Sequence, residues 1–179
     1  MKLFGQPVRQ IAYVVDDVEA AAARHVATFG SGPFFVSDMD YECVHRGRPS
    51  RLAGRAGFGQ WGSMQVELLE SGYDGPNLLN ELYPTGSGKT GFHHLAIIID
   101  DLESTVRHLA EHGFNEATRV PIPQMDLTAV FVDALDRLGH FIELYRSAPA
   151  LTGFYDAVAA AHVGFDGKNP VRSINALGG

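Results

Sequence analysis

An internal repeat is the feature that most restricts what this chain can fold into. Residues 10–19 (QIAYVVDDVE) recur as residues 94–103 (HLAIIIDDLE), with four of ten positions identical. Further along each half, residues 65–69 (QVELL) recur as residues 141–145 (FIELY). Two matches in the same order indicate two copies of one structural unit. Because the two pairs are separated by different distances, we expect the copies to carry loops of different length.

Each half follows the pattern strand, helix and three further strands, although the first half offers four short runs after its helix. An apolar, β-branched run predicts the first strand, and the acidic pairs at residues 16–17 and 100–101 supply oxygens that cap a following helix. Gly30 and Gly113 stand where a glycine ends each helix. First strands are thus predicted at residues 11–15 and 95–99, followed by helices at 18–29 and 102–112. Shorter alternating runs predict the remaining strands of the first half at 34–38, 42–46, 55–60 and 64–69. Those of the second half are predicted at 117–121, 128–133 and 141–145.

We expect a single α+β domain over residues 1–179. It divides into a first module, a linker with a short helix at 76–82, a second module and a C-terminal extension. The bounds of these parts are 8–70, 71–91, 92–146 and 147–179. The extension contains a predicted helix at 151–162, and residues 164–179 are predicted to be loose.

Composition narrows the class of function. Apolar residues make up 45% and charged residues 20%, which is ordinary for a globular protein. The net charge of −7 disfavours nucleic acids and anionic membrane surfaces as partners. Cys43 is the single cysteine, which fits a reducing compartment, and the first residues lack an apolar signal-peptide core. We therefore expect a cytoplasmic protein that acts on small molecules.

Four polar residues occupy repeat-equivalent places on predicted strands. Alternation puts His94 on one face with Ala96, while the bulkier Leu95 lies on the other face beside His93. A buried carboxylate is costly unless it is paired or bound to a cation. The four residues are Gln10, Glu67, His94 and Glu143, a donor set that suits a divalent metal ion. An ordinary core role for the histidine, with His93 as the functional one, remains the alternative.

The motifs QIAYVVDDVEAA, MQVELLES, GFHHLAIIIDDLES and GHFIELYR resemble the vicinal oxygen chelate superfamily, which includes glyoxalase I, methylmalonyl-CoA epimerase, extradiol dioxygenases and bleomycin-binding proteins. The resemblance covers residues 8–146. It implies two βαβββ modules curled into an open, cleft-enclosing β-barrel around a metal, and a homodimer. Zinc-type glyoxalase I is similar in its glutamine, glutamate, histidine and glutamate ligands. Zinc is therefore the expected ion, with nickel, cobalt, manganese or magnesium as alternatives.

The resemblance is nearest to the methylmalonyl-CoA epimerase branch, although residues 43–66 contain no Asp or Glu to match that branch's additional base. It implies a metal-dependent isomerase, epimerase or lyase that removes a proton next to a carbonyl. Glu143 is the expected base and Glu67 the second candidate. One alternative is a non-catalytic, resistance-type binding protein. The other is a ring-cleaving dioxygenase, against which Gln10 argues, because those enzymes hold iron with two histidines and one carboxylate.

A cluster of arginines suggests where substrate could be gathered. Arg46, Arg48, Arg51 and Arg55 lie within ten residues, with no acid between them. One interpretation is a basic rim that attracts an anionic carbonyl or acyl substrate, including a CoA thioester. The other is a solvated loop.

Overall fold

A computed structural model describes residues 6–177, and residues 1–5 and 178–179 lie outside this description. The elements are β1 (Val8–Val14), α1 (Val18–Phe29), β2 (Phe34–His45), β3 (Arg48–Trp61), β4 (Met64–Ser71), α2 (Leu78–Leu82), β5 (Gly91–Ile99), α3 (Leu102–Glu111), β6 (Glu116–Ile122), β7 (Leu127–Ala134), α4 (Leu135–Leu138), β8 (His140–Arg146), α5 (Pro149–His162) and β9 (Val171–Ser173). Within residues 6–177, no helix is long and apolar enough to cross a membrane.

The strands form one mixed sheet that closes into a barrel. Their order is β3-β4-β1-β5-β8-β7-β6-β2-β9, and β2 also pairs with β3. Two βαβββ modules in an α+β fold are confirmed. The sequence suggested an open barrel, but β2 pairs with both β3 and β6 and so closes the ring of eight strands. The runs predicted at 34–38 and 42–46 are one strand, because the register with β3 is unbroken from Phe35 to His45.

The predicted capping residues begin and end the helices as expected. The side chain of Asp17 accepts a hydrogen bond from the Ala20 N–H at the start of α1, and Asp101 does the same for Ser104 at α3. Gly30 adopts the left-handed conformation that ends α1. Each helix packs its buried face on the outside of the barrel, so the interior surface stays free to carry polar groups.

Strand pairing repeats the internal duplication in three dimensions. Ala12 of β1 lies opposite Glu67 of the parallel strand β4, and Ala96 of β5 lies opposite Glu143 of the parallel strand β8. The two modules meet through antiparallel pairing of β1 with β5, where Ala12 is opposite His94. The repeat-equivalent residues are therefore brought to the middle of the sheet from both halves.

The C-terminal extension is ordered where the sequence predicted loose chain. Within residues 164–177, β9 adds to β2 in parallel, with Val171 opposite Phe34, and a 3-10 turn follows at Ile174–Ala176. The prediction for this segment was wrong, because a strand of three residues has no periodicity of its own and forms only on an edge that β2 supplies. Residues 178–179 lie outside the described part of the chain.

We predict that this extension contributes to stability. Leu151 of α5 is 3% exposed and packs against Leu127 and Tyr155. Leu151→Ala should lower the free energy of unfolding by about 2–5 kcal/mol, as is usual for buried leucines. The matched control is Leu138→Ala, at a position 54% exposed, which should change it by less than about 0.5 kcal/mol. Equal effects in chemical denaturation would contradict the packing of α5.

Candidate metal centre

The barrel encloses a cavity of about 490 Å³ whose wall includes all four predicted ligand residues. Gln10 comes from β1, Glu67 from β4, His94 from β5 and Glu143 from β8. Gln10, His94 and Glu143 are almost fully buried. The side chain of Glu67 retains 12% exposure. Residues far apart in the sequence thus share one interior surface.

Three of these side chains are spaced as ligands of one ion would be. The His94 Nε2 atom lies 3.2 Å from Glu67 Oε2 and 3.2 Å from Glu143 Oε2. One donor atom from each of the three residues lies within 4.8 Å of the others. Donors bound at about 2.1 Å to a common ion are separated by ~3.0 Å in octahedral and ~3.4 Å in tetrahedral geometry. Both distances from His94 Nε2 to the carboxylates fall between these values, so the three residues could hold a divalent cation.

The cluster also contains polar atoms that the protein leaves unsatisfied. Gln10 Oε1 is buried without a hydrogen-bond partner among the described residues, while the buried His94 Nε2 and Glu143 Oε2 make no hydrogen bond of ordinary geometry and meet as an ion pair at 3.2 Å. Buried polar atoms are normally paired, and leaving one unpaired costs about 1–3 kcal/mol. Each of these atoms can bind a cation, His94 Nε2 once it has released its proton. These residues could therefore hold a divalent metal ion.

Electrostatics in the cluster are governed by burial and by the two carboxylates. Burial raises the pKa of Glu67. Burial by itself lowers the pKa of His94, but the nearby carboxylates of Glu143 and Glu67 outweigh it and raise that pKa to about 9. The imidazole thus places a proton between two acidic groups, which is the position a cation could take instead.

Gln65 fixes the orientation of the Gln10 amide. Gln10 Nε2 donates a hydrogen bond of 2.7 Å to Gln65 Oε1, and the two residues are paired across β1 and β4. This bond uses the amide nitrogen of Gln10 and leaves its oxygen as the free donor atom. Sequence reasoning missed Gln65, although its position two residues before Glu67 puts both on one strand face.

A β-bulge changes the expected placement of His93. Ala12 pairs with His94 and Tyr13 pairs with Phe92, so His93 has no partner on β1. Strict alternation puts His93 and His94 on opposite faces, yet both are buried and their Nδ1 atoms are 2.8 Å apart. Of the two, His94 lines the cavity.

The bulge lets His93 set the ring orientation of His94. Burial and the neighbouring His94 lower the pKa of His93 to about 3, so its ring is neutral near pH 7. The backbone oxygen of Leu78 lies 3.2 Å from His93 Nε2 and can only accept, so this nitrogen carries the hydrogen. His93 Nδ1 then accepts from His94 Nδ1–H. His94 Nε2 is left facing the carboxylates, as in histidine ligands held by a second hydrogen bond.

Comparison with known proteins identifies the family. A family model described as Glyoxalase/Bleomycin resistance protein/Dioxygenase superfamily matches residues 9–131. The chain belongs to this superfamily. Among curated proteins, no sequence matches it.

Solved structures of the superfamily type share the fold at low identity. Methylmalonyl-CoA epimerase from Mycobacterium tuberculosis is 18% identical with a TM-score of 0.57, covering 84% of this chain and 95% of that one. A variant of the Streptomyces coelicolor epimerase in complex with 2-nitronate-propionyl-CoA is 20% identical with a TM-score of 0.56, covering 80% and 98%. A hypothetical protein from Bacillus halodurans C-125 is 16% identical with a TM-score of 0.55, covering 81% and 96%.

The four predicted substrate arginines, in contrast, do not reach the cavity of this superfamily member. Arg46 pairs with Glu81 and Asp133, Arg51 with Asp40, and Arg55 with Glu19. Arg48 is exposed on the outer surface. None of the four is part of the cavity wall, so the structure does not bring them together with the polar cluster.

We predict that His93 supports metal binding without touching the cavity. His93→Phe keeps a ring of similar size but removes the acceptor for His94 Nδ1–H. Zinc affinity, measured by competition with a chromophoric chelator, should fall about 10–100-fold. The control is His108→Phe on α3, outside the cluster, which should leave zinc affinity unchanged. Equal affinities in the wild type and both variants would show that His93 does not position His94.

Proposed function

We propose that this chain is a metal-dependent isomerase, epimerase or lyase that removes a proton from the carbon next to a carbonyl. The observation that carries the proposal is the Glu67–His94–Glu143 cluster in the wall of the barrel cavity. Membership of the superfamily and the epimerases among the structural neighbours support it. An enzyme of this type needs a base close to a group that stabilises developing negative charge on oxygen.

Each residue has a role in this proposal. Gln10, Glu67, His94 and Glu143 would hold the ion, zinc being the first candidate. A divalent ion held there would stabilise negative charge on the substrate oxygens. Glu143 takes the proton, and the electron pair of the C–H bond moves towards the carbonyl oxygen to give an enolate. Glu143 or Glu67 then returns a proton to carbon. The proton is added at the original carbon or at a different one, and on the same face of the substrate or on the opposite face.

Two carboxylates around one imidazole suit this proton transfer. Glu67 and Glu143 come from different strands and both approach His94 Nε2 at 3.2 Å. Their separate origins allow one carboxylate to act while the other keeps its place, so the buried cluster never loses all its negative charge.

Glu143→Gln tests the assignment of the base. The variant keeps the size and an oxygen donor but cannot accept the proton. In deuterated water with a panel of acyl and hydroxy-carbonyl compounds, exchange at the carbon beside the carbonyl should slow by ~10²–10⁴-fold. Glu42→Gln, at an exposed position on β2, is the control and should exchange at the wild-type rate.

Two results would redirect the proposal. Exchange by Glu143→Gln at the wild-type rate would place the base elsewhere, with Glu67→Gln as the next variant. If the wild type binds members of the panel but exchanges none of them, the non-catalytic binding function is favoured. The largely apolar cavity is the observation that supports this second candidate.

A second prediction concerns Gln10 as a ligand. An amide oxygen is a weaker donor than an imidazole for zinc, so Gln10→His should tighten zinc binding and Gln10→Ala should weaken it. Equilibrium dialysis against buffered zinc measures both changes. Identical affinities in all three proteins would exclude Gln10 from the ligand set.

A further inference from the structure

The cavity beyond the polar cluster is mainly apolar. Its wall includes large hydrophobic side chains from β2, β3, β4, β7 and α5, among them Met39, Leu52, Phe58, Leu69, Phe131 and Phe154. Its volume of about 490 Å³ is within the usual range for pockets that bury a small organic molecule. Such a wall binds a ligand by burying the ligand's apolar surface. It provides few hydrogen bonds to replace the water around a strongly hydrated group.

Apart from His94, the described wall of this cavity carries no basic side chain. No lysine or arginine is among the described residues that line it, and Asp38 adds a further acid beside Glu67 and Glu143. A nucleotide carrier such as coenzyme A has several phosphate charges, which proteins normally bind with Arg or Lys. The chemistry of the wall therefore favours a substrate without phosphate.

The C-terminal extension supplies part of the enclosure. Leu151, Phe154 and Tyr155 of α5, together with Ile174 and Asn175 near the chain end, line the cavity. Phe154 meets Phe58 of β3 edge to face, with ring centres 5.0 Å apart. Because β9 anchors the segment that follows α5 to β2, this cover is part of the folded domain.

Tyr155 offers a hydrogen bond inside the cavity. Its side chain is buried, and its hydroxyl has no hydrogen-bond partner among the described residues. Burial and the carboxylates of Glu143 and Glu67 raise the pKa of this phenol well above its usual value, so the hydroxyl keeps its proton. Arg9 packs over the ring of Tyr155, 5.5 Å from its centre. The hydroxyl is thus a donor available to a ligand oxygen.

We propose that the substrate is a compact, phosphate-free carbonyl compound with an aryl or branched alkyl substituent. The substituent fills the apolar space beneath the C-terminal extension, and Tyr155 donates a hydrogen bond to a substrate oxygen. This inference rests on the proposed function, because it places the reacting oxygens at the metal ligands. It identifies Phe154 and Tyr155 as residues that determine specificity.

Two hydroxamates with the same chelating head test the substrate class. Acetohydroxamic acid and benzohydroxamic acid differ only in replacing a methyl group by a phenyl ring. Affinities for the zinc-loaded full chain, corrected for each compound's affinity for free zinc, should favour benzohydroxamic acid by about 10–100-fold, since the ring buries additional apolar surface. Propionyl-CoA at millimolar concentration should not displace it.

Matched variants test whether Phe154 and Tyr155 are the residues that bind the hydroxamates. Phe154→Ala should reduce the preference for the phenyl compound about 10-fold, whereas Phe29→Ala should not change it, since Phe29 lies on α1 outside the cavity and is 52% exposed. Tyr155→Phe should weaken both hydroxamates by about 2–10-fold through loss of one hydrogen bond.

The outcomes separate this inference from the function on which it rests. Equal binding of the two hydroxamates, displacement by propionyl-CoA, or an unchanged preference in Phe154→Ala would overturn the substrate class and leave the metal centre standing. Unchanged affinities in Tyr155→Phe would remove the hydrogen bond from the proposal. If zinc-loaded protein binds neither hydroxamate, the proposed metal function fails and the inference fails with it.

Discussion

The antiparallel pairing of β1 with β5 is the contact on which the site depends. It places Ala12 opposite His94 and Gln10 opposite Ala96, so that polar and small residues from the two modules interleave on the inner face. Side chains alternate between faces along a strand, so a slip of one residue in β1 would turn Gln10 outward and the same slip in β5 would turn His94 outward. The parallel neighbours β4 and β8 add one glutamate each, at equivalent register positions.

Burying this set inside an otherwise apolar barrel is unfavourable without a compensating partner. Gln65 satisfies one end of Gln10, and His93 satisfies one nitrogen of His94, while the remaining donor atoms face each other. A cation among them would offset the mutual repulsion of the carboxylates and the loss of hydration. The supporting hydrogen bonds point the free atoms inward, so the same contacts that limit the cost of burial also prepare the site for an ion.

Much of this arrangement followed from local sequence signals. The acidic pairs and the glycines set the helix ends, and the duplicated segments place Gln10 and His94, and Glu67 and Glu143, at equivalent positions. Other parts could not be found in this way. The unpaired position of His93 depends on the register with β1, and β9 depends on the edge of β2. The arginines looked like one surface in sequence, but nearby acids bind three of them separately.

The sequence by itself determined the two modules, their helix ends and the four polar residues, because these features arise from periodicity and from chemistry within short segments. Only the tertiary structure decided that the barrel closes, that α5 covers the cavity and that Tyr155 lines it with a buried hydroxyl unpaired among the described residues. Those features depend on contacts between segments far apart in the chain. Such contacts form when apolar faces and unpaired strand edges find partners, and no local pattern specifies which partner each one takes.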